Sequence, residues 1–151
     1  MVNEKTVRIL IYIGVGAAIV AFLMTVALVA LSINPISPIK NWTARTDKTT
    51  YIEGDNAHIT SNYDKNIAMD GESVRSLVCI IGQRTQEYSP VTQDTSKKTG
   101  KNLTAESDAI VPADVIDSLP KECYYKYDID YNVFGFKSSG RTNTFTIQPK
   151  E

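Results

Sequence analysis

Three short patterns in this 151-residue chain place a hydroxyl near a lysine, the pairing used when an amine activates a serine or threonine for acyl transfer: Ser37-x-x-Lys40, Ser118-x-x-Lys121 and Lys98-Thr99-Gly100. That chemistry needs serine and lysine on one helical turn. Pro38 and Pro120 interrupt the first two patterns, and the third lies in a polar stretch rather than a strand. His58 is the only histidine, so a Ser-His-Asp device would have to be built around it, and no GxSxG elbow accompanies it. Its place between Ala57 and Ile59 in an alternating run predicts a surface position. Asp55, Asp64, Asp70 and Glu72 surround turns and offer the oxygens calcium prefers, but no DxDxDG loop organises them, and solvated turn carboxylates are the far commoner case. No glycine-rich phosphate loop follows a strand. The sequence therefore assigns no catalytic, cofactor-binding or metal-binding residue, and the expectation is a protein without enzymatic activity.

The remaining reactive groups are two thiols, Cys79 and Cys123. Neither sits in a CxxC or beside a histidine, so structural zinc is not indicated. Both fall at inward positions of their runs, Cys79 with Leu77 and Ile81, Cys123 with Tyr125 and Tyr127. An oxidising compartment would join them as a disulfide; otherwise each is a small buried apolar side chain.

What positions these groups is dominated by the N-terminus. Residues 9–33 are 25 consecutive uncharged residues rich in Ile, Leu, Val and Ala. A helix of that length crosses a hydrocarbon core of about 30 Å with some tilt. A cleaved signal peptide is the rival, since Ala30-Leu31-Ser32 has small residues at the cleavage spacing. Its apolar region would normally be about 7 to 15 residues, so an uncleaved signal anchor is the reading adopted. Lys5 and Arg8 precede the span, while Lys40, Arg45 and Lys48 follow it, so positive charge alone does not orient it. The short tail of residues 1–8 is placed in the cytoplasm, and the cysteine-bearing part outside it. That part also holds two sequons, Asn41-Trp42-Thr43 and Asn102-Leu103-Thr104, whose asparagines read as surface positions. Within the helix Gly14, Ala18, Ala21 and Thr25 form a stripe of small side chains, a possible face for a homodimer through the membrane or simply ordinary spanning-helix composition.

Residues 34–46, opened by Pro35 and Pro38, read as an extended stalk. Trp42 fits either the headgroup layer or the domain interior. Residues 47–151 read as one β domain of about seven strands, at 49–52, 57–63, 76–83, 87–91, 109–111, 123–134 and 143–148. Residues 76–82 are continuously apolar, as in a central strand. The clearest strand is 123–134, with Cys123, Tyr125, Tyr127, Ile129, Tyr131 and Val133 on one face and Lys126, Asp128, Asp130 and Asn132 on the other. Residues 92–108 hold almost nothing apolar and are expected to form a long exposed loop. This arithmetic is that of an immunoglobulin-like antiparallel β-sandwich on a transmembrane α-helix.

Tyr51-x-x-Gly54-Asp55 before a strand, Val111-Pro112-Ala113, Leu119-Pro120 before the Tyr-rich run, and Phe145-Thr146-Ile147 carry a resemblance. The chain resembles small single-pass envelope proteins of bacteria or their phages that display an immunoglobulin-like domain on one helix. The resemblance implies that architecture and setting and transfers no site residue. From residue 34 onward 14 Lys/Arg face 16 Asp/Glu, which gives no basic footprint for nucleic acid. The expected function is a membrane-tethered interaction or structural module with the bilayer and an envelope protein as partners. A secreted or periplasmic factor acting by edge-strand pairing, and an enzyme with an unrecognised site, are the alternatives.

Overall fold

The computed structural model describes residues 4–113 and 120–149. Ser118 of the second Ser-x-x-Lys pattern, Leu119 and residues 1–3 of the tail lie outside the described residues. Among the described residues one long helix, α1 (Glu4–Ile33), precedes nine strands. At about 1.5 Å per residue its 30 residues reach roughly 45 Å. Its side chains from Lys5 to Ala30 are exposed all round, and Lys5–Ile33 is long and apolar enough to cross a membrane. The helix stops where Asn34 N donates to Ala30 O (2.9 Å), because Pro35 follows and cannot extend the ladder.

The strands are β1 (Ile39–Thr46), β2 (Thr50–Ile52), β3 (Asn56–Lys65), β4 (Gly71–Ile81), β5 (Arg84–Asp94), β6 (Gly100–Ile110), β7 (Lys121–Tyr131), β8 (Lys137–Arg141) and β9 (Phe145–Gln148). They form one sheet in the order β1-β3-β6 and a second in the order β2-β9-β7-β4-β5, with β8 beside β7. All pairings between strands are antiparallel except β2 with β9. The core joins the two sheets: Ala57, Ile59, Ala109 and Val111 from one side meet Leu77, Cys79, Cys123, Tyr125, Phe145 and Ile147 from the other. Alternation puts them there, since successive residues of a strand face opposite sides. In β7 the residues Cys123, Tyr125, Tyr127, Ile129 and Tyr131 are all buried, as their spacing requires, and Phe145 and Ile147 are buried in β9.

Four expectations need correction. The prolines govern only residues 35–38; from Ile39 the chain is strand β1, paired with β3, so the stalk does not extend to residue 46. The segment 92–108 is not one long loop: β5 runs to Asp94 and β6 occupies Gly100–Ile110. A strand at a sheet edge needs only backbone pairing on one side, so it can be polar throughout, and an apolar-pattern reading passes over it. Among the described residues the strands therefore number nine rather than seven. The Tyr-rich strand ends at Tyr131, leaving Val133 exposed in the following turn.

Candidate functional site

Cys79 and Cys123 are direct partners across β4 and β7 and are joined, with an S–S distance of 2.05 Å and both side chains fully buried. The bond pins the two central strands of the larger sheet, closing a loop between residues 44 apart in sequence. Gly14, Ala18, Ala21 and Thr25 lie together along α1, all exposed; a side chain at Gly14 would meet no atom within 4 Å, and Thr25 Oγ1 donates to Ala21 O (2.9 Å). Among the described residues no element packs on that stripe.

Ser37 Oγ is held by Ile39 O (2.7 Å) and by the Ser138 hydroxyl (2.8 Å), which ties the proline segment to β8. His58 is half-exposed. Its Nδ1 bonds Asp108 Oδ1 across the β3–β6 pair (2.9 Å), and that carboxylate raises the imidazole pKa. Of the four turn carboxylates, Asp64 binds Asn41 Nδ2 (2.7 Å) and Asn102 N (2.8 Å), so both sequon asparagines converge on one side chain. Both sit at positive φ beside register breaks in their strands. Asp70 pairs with Lys97 (2.7 Å), and Asp55 Oδ2 accepts from Ile52 N. Among the described residues no three such groups converge as metal ligands. Trp42 is partly buried and packs on the core, against Tyr127 (ring centroids 5.6 Å apart) and Gly140.

Two surfaces were not legible in the sequence. The first is where helix meets domain. Ile36 N donates to Gly135 O (2.7 Å), and Lys137 N donates to Ile36 O (3.0 Å). A Cβ on Gly135 would come within 2.8 Å of the Leu31 side chain, and its φ of +80° favours glycine for a second reason. The turn between β7 and β8 is thus stitched to the last turn of α1. It carries Val133 and Phe134, the latter 60% exposed, and Ile33 (71% exposed) and Ile36 are exposed at the end of the helix. The second surface is the side where edge strands β5 and β6 face each other. Pro90 and a bulge at Ser89 (φ +45°), where the register slips between Arg75 and Leu77, blunt β5. Strand β6 is different: from Leu103 to Ile110 it pairs residue for residue with β3, contains no proline, and among the described residues no strand pairs with its other edge.

No protein-family model matches the chain, and no curated protein does. Among solved structures it is similar to the crystal structure of Spo0M, a sporulation control protein from Bacillus subtilis, with a TM-score of 0.53 and 16% identity over 75% of this chain. The chain spans half the length of that protein. At this identity the likeness is one of fold, and it places the β domain among β-rich folds already known.

Proposed function

We propose that the chain is a non-enzymatic membrane-tethered module that holds an immunoglobulin-like β-sandwich in a fixed pose over a bilayer and presents it to a protein partner in a bacterial or phage envelope. The observation that carries the reading is the junction of Leu31 with Gly135. A turn packed against the end of an apolar spanning helix shares its depth, so Val133 and Phe134 rest in the headgroup boundary, where apolar side chains are favoured. The tail is cytoplasmic in this reading and the domain external, where its disulfide is maintained. A second copy meeting along Gly14, Ala18, Ala21 and Thr25 would make the anchor a dimer.

The open edge of β6 supports a second reading, in which a client segment adds to it as a strand. A photoreactive residue at Thr104, on β6, against one at Thr146, in the paired strand β9, tests the partner surface in intact cells. Capture of one protein species from Thr104 alone is expected. Equal capture from both positions, or from neither, contradicts the reading.

A further inference from the structure

The side of the sandwich between β5 and β6 contains a cleft of about 380 Å³ whose chemistry is unusual for a core. Arg75 reaches into it from β4. The residue is only 7% exposed, yet Nη1 has no hydrogen-bond partner among the described residues, and the guanidinium lies over the Tyr125 ring, 5.9 Å from its centroid. Tyr125 lines the same cleft, and its hydroxyl is buried and without a hydrogen-bond partner among the described residues. Burial pushes that phenol's pKa well up, so at neutral pH it keeps its proton and remains a donor. Leaving a buried guanidinium nitrogen and a buried hydroxyl without hydrogen bonds is costly, and such groups call for a partner.

The surroundings define what that partner is. Leu77, Val91, Ala109 and Pro112 make the walls apolar. The bulge at Ser89 and Pro90 lies directly opposite the Arg75 to Leu77 stretch, so the strand bends away where the guanidinium sits and opens the mouth of the cleft. One cation balances one negative charge, and Asp108, also in the lining and bonded to His58, disfavours a dianion such as phosphate. The planar guanidinium matches a carboxylate in shape as well as charge. A cleft of this volume is at the small end of ligand sites.

We infer that this cleft binds a monocarboxylate carried on an apolar chain, with Arg75 and the Tyr125 hydroxyl as donors to its two oxygens. The chemistry is shared by a free alkyl carboxylic acid and by a polypeptide ending in an apolar residue. It concerns the domain alone and does not depend on the tether.

The test uses the full chain in lipid nanodiscs and follows the unfolding midpoint with four probes: octanoate, 1-octanol, acetyl-Leu-Leu with a free carboxylate, and its C-terminal amide. At least one carboxylate is expected to raise the midpoint while its neutral counterpart does not, and the one that acts names the source. Arg75→Met should weaken that response by more than about thirtyfold, because a desolvated charge pair loses its partner. Without probe its midpoint should equal or exceed that of the parent, since an unpaired buried charge has been removed. Tyr125→Phe should weaken the response less and keep the fold. The inference is overturned if neither carboxylate acts, if the neutral counterparts act equally, or if the response survives in Arg75→Met.

Discussion

Tyr51 shows how much one hydroxyl organises here. Its ring is buried against Phe145, edge to face at 5.1 Å, while its oxygen donates to Asp47 Oδ1 (2.6 Å) and accepts from Lys48 N (3.0 Å). Asp47 Oδ1 also accepts from His58 N (2.9 Å), so one carboxylate fastens the start of β2 to β3. These bonds hold the Asp47 pKa below the usual carboxylate value of 3.8, the Tyr51 hydroxyl contributing most. A depressed folded-state pKa gives stability that is present above the unfolded value and is lost as pH falls through the folded one. Tyr51→Phe is therefore expected to cost about 1 kcal/mol in denaturant unfolding at pH 7, with a smaller difference from the parent below pH 3. On β7, inward Ile129 and outward Asp130 are adjacent and opposite in consequence. Ile129→Asp buries an unpaired charge and should prevent folding. Asp130→Lys loses only the exposed pair with Lys137 (3.1 Å) and should change stability by about 0.5 kcal/mol or less, read by the same unfolding curves.

At the scale of elements, the β3–β6 pair carries a pH-dependent link. Asp108, and after it Glu106 and Asp47, raise the His58 pKa above 6.5. A raised pKa gives stability fully present below the unfolded value and lost as pH rises through the folded one. The unfolding midpoint of the parent should exceed that of His58→Gln at pH 5.5, and the difference should shrink by pH 8.5. The β4–β7 pair depends on its disulfide: Cys79→Ala with Cys123→Ala is expected to cost about 2–5 kcal/mol, measured against the oxidised parent. Parity made those two strands legible, because Cys79 with Leu77 and Cys123 with Tyr125 repeat every second residue. The same reasoning failed at β6, whose face toward solvent holds no apolar repeat and whose existence depends on pairing with β3. It failed at β1 because Pro35 and Pro38 signal an extended linker as readily as the approach to a strand. The turn carrying Phe134 was hidden for another reason: its neighbour Leu31 is about a hundred residues away in sequence, and nothing local announces that contact.

For the whole molecule, the sequence located the apolar helix and the β domain but not how they are joined. The join is short and bonded, from Ile36 to Gly135 and Lys137 and from Ser37 to Ser138, so the domain does not swing on a free linker. If α1 spans a bilayer, that junction puts the β7–β8 turn at the membrane surface. The edge of β6 and the cleft of Arg75 are then held in one orientation toward whatever approaches. The direct measurement is fluorescence of a Phe134→Trp variant of the full chain in nanodiscs containing brominated lipid, compared with the parent, whose partly buried Trp42 packs against Gly140 and Tyr127. The account predicts blue-shifted emission from the added tryptophan and strong quenching by bromine near the headgroups, with the parent's emission little affected. Emission typical of a water-exposed indole, unquenched by the lipid while the chain itself resists carbonate extraction, would contradict the fixed pose and leave only a tether.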